Sequence, residues 1–142
     1  MAAKIERGDG GDTNGRAASI VLSDFAVRTH EHGRSFHVSV SGELDIAATD
    51  ELDAHLKEIE RREPSLIALD LRELSFIDSS GLRSILTAHA RARDGQWRLA
   101  LVEGPEPIQR VFHVTGLDRQ LTIVRDLDEL GDGMPAESRD AV

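Results

Sequence analysis

Two adjacent hydroxyls held between an acid and a glycine, Asp78-Ser79-Ser80-Gly81, form the stretch of this chain best suited to chemistry. They follow the apolar segment Leu74-Ser75-Phe76-Ile77 and precede Leu82, Ile85, Leu86 and His89, which fall at helical spacing. A helix that opens in this way leaves its first backbone N–H groups without partners. Asp78 or Ser79 can cap them, and Ser80 falls in the first turn. A helix N-terminus favours added negative charge, so a phosphate on Ser80 is compatible with the helix. Gly81 bares the backbone beside the hydroxyl, where another protein can approach closely. The stretch therefore reads either as a pair of capping hydroxyls or as hydroxyls presented to a partner.

Other chemistries find less support. The segment around Ser80 lacks the G-x-S-x-G elbow of a hydrolase, and the chain lacks G-x-x-x-x-G-K-[ST]. His30, His32 and His37 do not fall at a spacing that gathers three metal ligands, so no metal is expected. Gly8 to Gly15, GDGGDTNG, resembles a phosphate or calcium loop in composition only, since no strand precedes it and no helix follows. There are no cysteines, which excludes disulfides and thiolate-held metals.

The elements that position Ser79 and Ser80 follow from patterning over 142 residues, a length suited to one core. Phe25 and Val27 alternate with polar residues. After His32-Gly33-Arg34, Phe36, Val38 and Val40 alternate with His37, Ser39 and Ser41. These are two strands in antiparallel pairing, the second with a polar face open to water. Ala48, Leu52, His55, Leu56 and Ile59 make a helical stripe, with Asp45 placed to cap it and Pro64 forcing its end by Glu63. Leu66 to Leu69 is a continuous apolar run, the mark of a strand covered on both faces and ending near Asp70. The helix after the serines ends at Asp94-Gly95. A strand over 97–102, a helix opened by Pro105 and Pro107 and closed by Gly116, a strand over 121–124 and a short helix over 126–130 complete the order β-β-α-β-α-β-α-β-α. That order predicts an α/β fold, a mixed, mainly parallel sheet of four to five strands with about four helices. Glycine-rich residues 1–19 and residues 131–142 read as mobile tails around a domain over 20–130. The net charge of −9 argues against a nucleic-acid partner, and no apolar run is long enough to span a bilayer. A cytoplasmic protein, monomeric or weakly dimeric through an apolar sheet edge, is expected.

Two segments carry a family resemblance. LDLRELSFIDSSGLRSIL, residues 69–86, resembles the central signature of STAS-domain anti-sigma-factor antagonists, and VSGELDIAATDEL, residues 40–52, resembles that family's second signature. The two occur in the family's order, and the resemblance covers roughly residues 20–130. It implies that Ser80 is phosphorylated by an anti-sigma factor that is also a serine kinase, and that the unphosphorylated form binds that kinase and releases a sigma factor. It also implies a PP2C-type phosphatase as second partner, no cofactor, since the kinase brings the ATP, and no enzymatic activity. The contact residues it implies are Asp45, Asp78, Ser79, Ser80, Gly81 and Arg83, although many members have glycine where this chain has Arg83. The alternative is a scaffold, or a nucleotide- or anion-binding sensor, within a stress-signalling assembly.

Overall fold

The computed structural model describes residues 25–131. The tails expected over 1–19 and 131–142 lie, apart from Gly131, outside the described residues. Five strands form one sheet: β1 (Ala26–His32), β2 (Ser35–Leu44), β3 (Leu66–Ile77), β4 (Arg98–Val102) and β5 (Thr122–Val124). They lie side by side in chain order, β1 and β2 antiparallel and every later pair parallel. Between them run α1 (Ile46–Glu60), α2 (Ser79–Gly95) and α3 (Glu106–Val114). The expected fourth helix is a 3-10 turn over Leu127–Leu130, too short for an α-helical ladder, and a second such turn spans Leu117–Arg119.

The helices pack on one face of the sheet. Phe36, Val38, Val40 and Leu44 of β2 and Ile67, Leu69 and Leu71 of β3 meet Leu52, Leu56, Ile85, Ala88 and Phe112 in a single core. On the other face Leu127 and Leu130 cover only Leu66, Ala68, Ala100 and Val102. Leu82, placed by its spacing on the core stripe of α2, is half-buried, whereas Ile85 is wholly enclosed.

Two features escape the simple patterns. The apolar period of β2 skips Gly42 and resumes at Leu44, and the pairing with β3 shifts register between Ser39 and Ser41 and again between Gly42 and Glu43, each time by one extra residue on β3. Gly42, at φ +90, takes a left-handed backbone beside these shifts, which glycine adopts without strain. Leu44 stays in phase with Phe36, Val38 and Val40 and is buried, while Glu43 is in solvent. Strand β3 also runs to Ile77 rather than ending near Asp70. Past Asp70 it has lost its pairing with β4 but keeps β2 as neighbour, through Ser41–Glu73, Gly42–Leu74, Glu43–Phe76 and Leu44–Ile77. Its buried residues there, Leu71, Leu74 and Ile77, are spaced by three, a rhythm that matches no regular strand and reads as loop.

The exposed large apolar side chains of the described residues are Ile46, Phe76 and Val114. None lies on either edge strand, where the apolar residues Val27, Ile123 and Val124 are half-buried.

Candidate functional site

The end of β2 and the long, bulged end of β3 finish side by side, and each strand turns directly into a helix. Asp45 and Asp78 occupy those two turns in nearly the same extended conformation. Asp45 Oδ1 accepts from Ala47 N at 3.1 Å and Ala48 N at 3.2 Å, and Asp78 Oδ1 accepts from Gly81 N at 3.0 Å. Each carboxylate thus satisfies N–H groups that the helix itself cannot. Asp78 N donates to Leu44 O at 3.3 Å, which ties the second turn to the first. The two signature segments are therefore one surface.

Asp78 rather than Ser79 is the N-cap of α2, so the cap role weighed for Ser79 is corrected: it is the first helical residue. Ser79 is exposed and Ser80 is half-buried. Helical periodicity explains the difference, because residues four apart share a face. Ser79 shares its face with exposed Arg83. Ser80 shares its face with Ser84, which is buried and donates from Oγ to Asp53 Oδ1 of α1. Neither Ser79 nor Ser80 spends its hydroxyl on a hydrogen bond among the described residues.

Gly81 does not fit the role expected of it. It is buried, and a Cβ there would stand 2.7 Å from Leu44 O, 2.8 Å from Ile77 Cγ1 and 2.9 Å from Leu44 Cγ. The missing side chain admits this chain's own β2, not another protein. A partner can reach Asp45, Asp78, Ser79, part of Ser80 and Arg83; it cannot touch Gly81.

A second polar cluster, on the sheet face away from the helices, was not visible in the sequence. Asp70 is 5% exposed. It accepts from His37 Nε2 at 2.8 Å and from Arg72 through the backbone N at 3.0 Å, Nε at 2.9 Å and Nη2 at 2.6 Å. Burial alone would push this carboxyl up; the bonds from His37 and Arg72 and the Arg72 charge outweigh it and hold the group well below the usual carboxylate range. His37 is thus clamped at the centre of a face expected to be open to water, with the His30 ring stacked on it at 6.1 Å. The signal available was an acid, Asp70, at the end of an apolar run, since a buried carboxylate needs a charged or donor partner.

Ser39, His37 and Asp70 have the residue types of a hydrolytic triad, but the geometry forbids the relay. Ser39 Oγ lies 3.4 Å from the same Nε2 that serves Asp70. An ionised carboxylate only accepts, so Nε2 carries the proton and cannot act as base toward Ser39. Among the described residues no group of three or more His, Cys, Asp or Glu side chains is arranged to hold a metal ion.

The Asp70 cluster sets a pH dependence. Because its carboxyl is depressed in the folded state, the stability it contributes is present above the ordinary Asp value, about 4, and is lost as pH falls below it. Asp70→Asn is expected to lower the urea midpoint at pH 7 and to flatten the decline of that midpoint between pH 5 and 3. An unchanged acid slope would show that the clamp carries no linkage.

Comparison with known proteins places these features. Residues 27–125 match the family model described as "Mlab, STAS domain". The chain is similar to the anti-sigma F factor antagonist of Paenibacillus polymyxa, with 34% identity over 66% of this chain and 81% of that one. Among solved structures it resembles an anti-sigma factor antagonist from Mycobacterium paratuberculosis, with a TM-score of 0.67 at 24% identity over 75% of this chain and 90% of that one. It also resembles the anti-sigma factor antagonist SpoIIAA in its unphosphorylated form, with a TM-score of 0.65 at 23% identity over 82% of this chain and 99% of that one. The phosphorylated form of the Bacillus protein SpoIIAA matches with a TM-score of 0.60 at 23% identity, over 75% and 97%.

Proposed function

Because this chain belongs to the STAS domain family, we propose that it is an anti-sigma factor antagonist switched by phosphorylation at the start of α2. In its unphosphorylated form it binds an anti-sigma factor and so frees a sigma factor. The anti-sigma factor is itself a serine kinase, and a PP2C-type phosphatase restores the binding form. The setting for this exchange is the cytoplasm; among the described residues no helix is long and apolar enough to cross a membrane.

The observation that carries the reading is the pair of hydroxyls free at a capped helix start, on the surface where the G-E-L-D and D-S-S-G segments meet. Ser80 is the acceptor that the family motif nominates. The geometry favours its neighbour Ser79, which is exposed and shares a face with Arg83, whereas the Ser80 side of the helix turns toward α1. In the transfer step the serine Oγ attacks the γ-phosphorus of the kinase's ATP. The new Oγ–P bond forms as the bond to the bridging oxygen of ADP breaks, and the hydroxyl proton leaves to a base on the kinase. The phosphate then sits at the positive end of α2, where the first amides and Arg83 can receive it. Asp78 stays committed to its cap, which keeps the acceptor rigid.

Intact-mass and peptide mass spectrometry after incubation with ATP and candidate anti-sigma kinases from the same genome tests this. One phosphate on Ser79 is expected. One phosphate on Ser80 would move the acceptor by one residue and leave the switch standing. Binding without any phosphate would favour a scaffold on the same fold.

A further inference from the structure

Two of the three exposed large apolar side chains among the described residues lie close in sequence to the two helix starts. Phe76 is 47% exposed and lies three residues ahead of Ser79; Ile46 is 73% exposed and follows the cap Asp45 as first residue of α1. The pairing of Glu43 with Phe76 and of Leu44 with Ile77 brings the two segments to the same end of the sheet. Folding does not require either residue to be apolar. Phe76 lies past the end of β4, where no further strand covers it, and Ile46 occupies a first-turn position at which a polar residue would serve the helix equally well. Exposed apolar side chains gathered at one end of the sheet and rimmed by charged residues are a candidate contact surface. The margin on the α1 side is acidic, with Glu43, Asp45 and Asp50.

We propose that Phe76 and Ile46 are the apolar anchors by which this chain docks on its anti-sigma factor. The partner surface they fit is an apolar recess beside the kinase's nucleotide site, with basic side chains facing Glu43 and Asp45. This rests on the function proposed above. It also divides the work of the surface: the anchors hold the complex by expelling water, and the serine at the start of α2 carries the switch. A few desolvated aromatic or aliphatic anchors supply most of the binding energy in interfaces of this kind, and opposed charges at the margin speed and orient docking.

Titration calorimetry of the unphosphorylated protein against the anti-sigma factor that phosphorylates it tests the anchors. Phe76→Ser and Ile46→Ser are each expected to weaken binding by about tenfold or more. Val114→Ser, at the far end of α3 and 75% exposed, is expected to change nothing, as is the melting temperature of all three. Phe76→Leu, which keeps apolar bulk, is expected to recover much of the affinity. If both anchor variants bind within about twofold of wild type, the anchors are wrong while the phosphorylation switch stands. If the wild type binds no anti-sigma factor, the function itself falls and this docking surface with it.

Discussion

Phosphorylated protein is expected to bind the anti-sigma factor about a hundredfold more weakly than the unphosphorylated form, and Ser79→Ala to bind as wild type while accepting no phosphate. The magnitude comes from where the phosphate must lie. The serine that has just received it faces the ADP it came from, and both carry negative charge. The phosphate adds roughly 1.5 to 2 charges near neutral pH. One like-charged pair about 5 Å apart is unfavourable by roughly 3 kcal/mol at an effective dielectric of 20, which corresponds to about two decades in affinity. Dry apolar contact beside the serine removes the screening that would soften this. The helix start offers the free protein no such repulsion, because its amides and Arg83 favour the phosphate. The modification therefore destabilises the complex and spares the fold. Ser79→Asp, with one charge on a shorter arm, should weaken binding by about tenfold. Unchanged binding of the phosphorylated protein would remove the electrostatic switch. Ser80→Ala is expected to be phosphorylated normally, and loss of phosphate in that variant would return the acceptor role to Ser80.

The same residues show how far the chain could be read without coordinates. Strand order, the antiparallel start, three helices and the meeting of two motifs at one surface all follow from periodicity and from family likeness, because regular elements repeat their apolar residues at fixed intervals. What was hidden depends on register between strands. The two extra residues on β3 space its buried positions Leu71, Leu74 and Ile77 by three, and the extension of β3 to Ile77 exists only because β2 remains beside it. Neither leaves a local mark. Asp70 is only half legible: Arg72 is its neighbour two residues along the same strand, but His37 reaches it only through the pairing of β2 with β3. The choice between Ser79 and Ser80 is finer still. It turns on the rotation of α2 about its own axis, which Ser84, Ile85 and Gly81 set by facing inward.

Gly81 locks that rotation, and Gly81→Ala is the substitution expected to disturb the site most without touching a hydroxyl. Helix propensity alone favours the change, since alanine is better than glycine in a helix by about 1 kcal/mol. The surroundings oppose it. The nearest atom to the new Cβ is the Leu44 carbonyl oxygen at 2.7 Å, a backbone atom at the end of β2 that cannot rotate away. Leu44 and Ile77 are both buried, so their side chains have little room to yield. Overpacking of this kind typically destabilises by about 1–3 kcal/mol, enough to reverse the propensity gain. To relieve the contact, α2 must move away from β2. That lengthens the bond from Asp78 N to Leu44 O and shifts Ser79 relative to Asp45. Gly81→Ala should therefore lower the urea midpoint and also slow phosphorylation under conditions where the variant is fully folded, whereas Ser79→Ala leaves the midpoint unchanged. A Gly81→Ala protein more stable than wild type would mean that propensity prevails and that β2 does not hold the helix start in place. Normal phosphorylation of a destabilised variant would mean that the two helix starts need not keep their spacing for the partner to recognise them.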